Sequence, residues 1–200
     1  MRTLHLTKLI IGAVLALCLS IDEVKAEYPE KPITMILPLG AGGSHDRNAR
    51  VFTSVIPEFL GNAIIVKLMP GASGQVGTAA AASAKPDGYT LIFTHNYYDQ
   101  LQKHVKKLPY NTDKDFITVG KLNSGSFSVI VRADSPFKSW KQLVSFANKN
   151  PGKLKFAHSG NWGATHAPAV QLFTEAGIVK DVVMVPYKGG GPSLRGFLAK

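Results

Sequence analysis

Residues 33–46, ITMILPLGAGGSHD, decide how the rest of the chain is read. Ile33 to Leu37 is a short apolar run stopped by Pro38, the pattern of a strand buried on both faces. The glycines that follow let the backbone turn sharply, and Ser44 and Asp46 stand where a helix would start. Strand, glycine turn and helix in that order open a parallel α/β layer.

Moving outward, Phe52, Val55, Ile56, Phe59 and Leu60 recur at helical spacing, with Gly61 as a stop and Pro57 predicted to kink or shorten the helix. Residues 63–69 read as a second strand and 78–84 as a helix of small residues that can pack close to a sheet. The Asp87-Gly88 turn leads into a third strand at 89–94. Residues 27–95 therefore predict strand–helix–strand–helix–strand. The second half repeats the plan. Residues 127–131 (FSVIV) are apolar and β-prone, and Asp134-Ser135-Pro136 breaks them. Ser139 and Gln142 form a capping box, with Trp140, Leu143, Val144 and Ala147 on one helix face. A strand is expected at 155–157, a helix at 169–176 stopped by Gly177, and a strand at 182–185 stopped by Pro186. Leu194, Phe197 and Leu198 begin one more amphipathic face before the chain ends at Lys200, which reads as a truncation. The expected boundary lies near residues 122–126, giving a first α/β lobe at 27–124 and a partial second lobe at 125–200.

Residues 1–26 read as an export signal. Arg2 and Lys8 precede an apolar run from Leu9 to Leu19, and Val24-Lys25-Ala26 places small residues before a cut after Ala26. The run is shorter than the about 20 residues that cross a membrane. Leu17 before Cys18 argues against a lipoprotein. Hydrophobic residues at 45% and charged residues at 18% exclude a disordered or collagen-like chain, and a single cysteine excludes a disulfide framework or a multi-thiolate metal site. The net charge of +10 favours anionic partners. The densest basic cluster, Lys103, His104, Lys106 and Lys107, carries no nucleic-acid motif and reads as a solvated face.

Three loops between strands and helices carry the chemistry. The first, residues 38–46, is an anion cradle: glycines turn amides toward one point and the helix start adds positive partial charge. It is neither a dinucleotide fingerprint, because His45 stands where the last glycine belongs, nor a P-loop. A plain turn in which Asp46 or Ser44 caps the helix is the competing reading. The second, residues 158–166, offers hydroxyls, an amide and backbone donors. His158 and His166 flank it with no carboxylate between them, so they read as loop histidines rather than a metal pair. The third, residues 186–193, sets Lys188 beside flexible glycines. In open α/β sheets, ligands bind beyond the carboxyl ends of strands, so three such loops suit a small anion. Gly71-Ala72-Ser73-Gly74-Gln75 nearly mimics a nucleophile elbow, but Gln75 breaks it.

The segments YPEKPI (28–33), ILPLGAGGSHD (36–46), MPGASGQVG (69–77), KPDGYTLIF (85–93), KLPYNTDKDF (107–116), PGKLKF (151–156), SGNWGATH (159–166) and VPYKGGGPS (185–193) occur in this order. As an ordered set they resemble the substrate-binding proteins of tripartite tricarboxylate transporters, the Bug or TctC family. That resemblance implies a periplasmic, two-lobed Venus-flytrap fold, here with an incomplete second lobe. It further implies a monomer that binds a small carboxylate without catalysis, metal or cofactor and delivers it to a membrane permease. By position it assigns ligand contacts to Gly42, Gly43 and Asp46 in the first loop and to Thr94 and Asn96 after the third strand. It assigns Ser159, Gly160, Asn161 and Thr165 in the second loop, and Tyr187, Lys188 and Gly189 in the third. Within that assignment Asp46 would repel an acid or bind an ammonium or hydroxyl, and so select among ligands. Leu39, Ala41 and the bulky Tyr97-Tyr98-Asp99 depart from the family pattern. Two other readings compete: a secreted hydrolase using Ser159 or Ser73 with His166, and a non-functional truncated product.

Overall fold

The computed structural model describes residues 27–95 and 101–199. The first elements are β1 (Ile33–Leu37), α1 (Ser44–Val55), α2 (Pro57–Leu60), β2 (Ile64–Leu68), α3 (Gln75–Ala82) and β3 (Thr90–Ile92). After them come α4 (Gln102–Val105), α5 (Trp140–Lys149), β4 (Leu154–His158), α6 (His166–Glu175), β5 (Val182–Pro186) and α7 (Gly190–Leu198). β1 lies between β2 and β3, parallel to both, with Ile33 opposite Ile64 and Thr34 opposite Thr90. β4 and β5 form a second parallel pair, from Leu154 opposite Val182 to His158 opposite Pro186. Parallel neighbours need a crossover, and the helices between them supply it.

Each sheet has its own apolar core. Ile33, Met35 and Ile64 pack with Ala49 of α1, joined by Phe52, Ile56 and Leu60. In the second unit Phe173 of α6, only 1% exposed, stacks on Trp140 at 6.0 Å and meets Phe156 of β4 edge-on at 5.2 Å. Gly77 permits the tight crossing of α3 over the end of β1, because a Cβ there would lie 2.9 Å from Pro38 Cα.

Pro57 divides the first helix as expected: α1 ends, and α2 starts on the proline, whose missing N–H costs nothing in a first turn. Two expectations need correction. Residues 127–131 form no strand, and Phe127, Ile130 and Val131 are exposed. β-propensity makes a ladder only where a neighbour accepts it, and this stretch pairs with no strand among the described residues. It instead borders an apolar groove of about 380 Å³ with Phe137, Phe156 and Phe197. The second correction concerns α7, which starts at Gly190, before the apolar residues that signalled it. Pro192 lies within its first turn, where proline is tolerated.

Candidate functional site

Loops following all five strands lie at the carboxyl ends of those strands. The first and third are in direct contact. The Gly40 amide donates to the Lys188 carbonyl at 2.8 Å. Gly43 and Gly191 meet backbone to backbone: a Cβ on Gly43 would be 3.1 Å from Gly191 N, and one on Gly191 would collide with the Ala41 carbonyl. Gly189, at φ 122°, shapes the turn that makes this approach possible. α1 and α7 therefore begin beside each other, with the amides of their first turns close together.

The second loop joins them. The Tyr187 amide donates to the His158 carbonyl, carrying the β4–β5 pairing into the loops. Within this loop the Thr165 hydroxyl accepts the Ser159 amide at 2.9 Å and pairs with the Ser159 hydroxyl at 2.8 Å. His166 Nδ1 accepts the amide of Trp162, which sits at φ 57° with its ring edge-on to the imidazole. Gly160, at φ 131°, approaches Ser73 so closely that a Cβ would be 3.3 Å from the serine Oγ. A small cavity of about 30 Å³ results, lined by Pro38, Leu39, Gly71, Ser73, Gly74, Ser159, Tyr187 and Lys188. It has room for roughly one water-sized group.

Of the residues singled out in the sequence, Ser159, Tyr187 and Lys188 line this cavity, and Gly42, Gly43 and Gly189 belong to the loop contact beside it. Gly160, Asn161 and Thr165 hold the second loop in place. Asp46 is only 5% exposed, and its carboxylate accepts the Gly42 amide at 2.8 Å and Arg50 Nε at 2.9 Å. Thr94 lies just past β3, with its hydroxyl buried and unpaired among the described residues. Asn96 lies outside the described residues. Sequence reasoning missed Gln102, whose buried amide donates to the Ser73 and Asn161 carbonyls at 2.9 and 3.5 Å. Ser73, singled out in the sequence only as an alternative nucleophile of a hydrolase, also lines the cavity. Gln102 is not marked by local pattern, because it is placed by contacts distant in sequence.

The charges follow from burial. Lys188 is exposed and forms no ion pair among the described residues, so its ammonium is a mobile cation at the mouth. His158 and His166 lie with ring centroids 4.4 Å apart. Burial, with a smaller push from His166, lowers the His158 pKa to about 4. Burial and then Lys106 lower that of His166. His45 and His95 form a second pair with ring centroids 5.1 Å apart, and burial drives His95 down to about 3, His45 adding to the effect. The Ser159 hydroxyl is paired with Thr165, and His166 Nδ1 is occupied by the Trp162 amide, so no Ser–His hydrogen bond exists among the described residues. The same residues hold no group of three or more metal-ligating side chains.

Parallel βα units whose glycine-rich loops gather at one crevice define the class: an α/β fold of the periplasmic binding-protein type. Solved structures of that type superimpose on the chain. BugD, described as a periplasmic binding protein, is 29% identical with a TM-score of 0.74, over 86% of this chain and 57% of its own. MatC from Rhodopseudomonas palustris, solved with bound malate, is 28% identical with a TM-score of 0.76, over 86% and 58%. A UPF0065 protein in the gbd 5' region of Cupriavidus necator is 32% identical over 198 residues, 94% of this chain and 58% of the relative. Residues 48–200 match the family described as "Tripartite tricarboxylate transporter family receptor", TctC. The chain belongs to that family, and it spans little more than half the length of the relatives it matches.

Proposed function

We propose that this chain is an exported receptor that captures a small carboxylate in the periplasm and hands it to a membrane permease, as a monomer and without catalysis. Residues 1–26 are its export signal in this reading, and 27–124 and 125–200 are the two lobes that meet at the crevice. The observation that carries the reading is the convergence of three helix-starting loops on one cavity that also holds Ser73, Ser159 and Lys188. Amides at helix starts and serine hydroxyls replace the water around a carboxylate, and a lysine at the rim draws it in. MatC, whose fold is shared, was solved with malate, which supports the choice of ligand class.

The residues take distinct parts. Gly42, Gly43 and Gly189 present amides; Ser159, Thr94 and Asn96 present polar side chains; Lys188 supplies charge. Gly160, Asn161 and Thr165 fix the second loop, and Tyr187 forms a wall. Asp46, paired with the Gly42 amide and Arg50, shapes the first loop instead of facing an acid. A cavity of about 30 Å³ holds little more than one small group, so binding a whole ligand requires the loops to part and close again. The test is a calorimetric screen of the purified chain against mono-, di- and tricarboxylates. Saturable binding of at least one supports the reading; no heat with any of them overturns it.

A further inference from the structure

Ala72 and Ser73 hold left-handed backbone, at φ 45° and 57°, a conformation that persists in residues with a Cβ only where surrounding contacts enforce it. The turn is closed locally: the Gly74 amide donates to the Gly71 carbonyl at 2.8 Å, and the Thr78 hydroxyl to the Gly74 carbonyl at 2.9 Å. Among the described residues, the hydrogen bond that reaches this turn from elsewhere in the chain comes from Gln102. That side chain, 0% exposed at the start of α4, donates from Nε2 to the Ser73 carbonyl at 2.9 Å. The same Nε2 lies 3.5 Å from the Asn161 carbonyl, so one amide touches the loop after β2 and the loop after β4. Gly160 packs against the turn there, since a Cβ on it would lie 3.4 Å from Ser73 Cα. Ser73 lines the small cavity, and its hydroxyl has no hydrogen-bond partner among the described residues.

We propose that Gln102 is a positioning residue for carboxylate capture: it holds the strained Ser73 turn against the second loop, so that the Ser73 hydroxyl faces the cavity and donates to a ligand carboxylate. This rests on the carboxylate reading above and deepens it. Gln102 is enclosed and touches no ligand; it acts through the Ser73 carbonyl. Without that bond the turn loses the outside contact that opposes its relaxation to ordinary backbone, and relaxation carries the Ser73 side chain away from the cavity. A hydroxyl without an internal partner can donate to an anion without first breaking a bond, and a serine held in place gives up little freedom on binding. In that respect Ser73 differs from Ser159, whose hydroxyl is already paired with Thr165.

The experiment is a double-mutant cycle on the full chain, read by isothermal titration with malate, adipate and citrate below the thermal midpoint of every variant. Ser73→Ala should weaken the tightest-bound of the three acids about tenfold. Gln102→Met, which keeps the side chain's length but removes its amide, should weaken the same acid by a similar factor. Adding Ser73→Ala to Gln102→Met should then cost less than about twofold more, because the hydroxyl has already left the site. A Gln102 that merely supports the fold would make the two losses multiply, and that result overturns the proposal. Parent-like binding by either single variant overturns it as well. Gln102→Asn, whose amide is withdrawn by one methylene, takes the place of Gln102→Met in the cycle if the latter does not fold. These failures, with the parent still binding, leave the carboxylate reading standing. No binding of any of the three acids by the parent overturns both.

Discussion

The amide of Gly40 and the carbonyl of Lys188, far apart in sequence, are joined by a 2.8 Å hydrogen bond that ties the loop after β1 to the loop after β5. Gly43 and Gly191 approach backbone to backbone in the same two loops, and Lys188 also lines the small cavity.

Gly191→Ala should therefore break the loop contact. The new methyl would meet the Ala41 carbonyl and lie 2.8 Å from Gly43 N, both backbone atoms that cannot swing aside. The expected cost is about 2 kcal/mol in urea denaturation, together with weakened carboxylate binding. Gly190→Ala, whose methyl meets nothing within 4 Å, should stay within about 0.5 kcal/mol of the parent.

Lys188→Met should weaken every carboxylate by a similar factor of about three to ten, because an exposed cation attracts charge without reading shape. The parent's affinity should fall on raising salt, and the variant's should fall less. Equal salt dependence in the two would remove Lys188 from the site.

Acid should destabilise the fold in a defined window. His158 titrates near 4 in the folded chain against 6.5 unfolded, mainly because burial penalises its charge, and His95 is displaced the same way to about 3. Between those limits the unfolded chain binds protons that the folded one refuses. Thermal midpoints should be flat above pH 7 and fall as the pH drops from about 6.5 toward 4. His158→Phe should flatten part of that slope, leaving the His95 share; an unchanged slope would contradict the assignment.

Phe173→Ala should cost about 3–5 kcal/mol, since the ring is fully enclosed between Trp140 and Phe156. Ser139→Ala should cost about 1 kcal/mol, because the serine Oγ accepts the Gln142 amide at the start of α5. Chemical denaturation reads both.

The elements legible in the sequence are those with self-contained signals. β1 announces itself by an apolar run ended by Pro38, α5 by its Ser139 cap and the apolar stripe of Leu143 and Ala147, and the α1–α2 break by Pro57. The three loops were visible for the same reason, since glycines and a following helix start are local features. Residues 127–131 misled because strand propensity says nothing about whether a neighbour is present to pair. Gln102 was illegible for a related reason. Gln102 matters only through carbonyls 29 and 59 residues away, a juxtaposition that no window of sequence displays.

The Ser159–Thr165 pair has a consequence of its own. Each hydroxyl keeps its own hydrogen and either can donate to the other, so rotation about the two C–O bonds reverses the direction of the pair with no heavy atom displaced. Under the proposed carboxylate reading, whichever hydroxyl is released from donating within the pair can donate to an anionic guest instead.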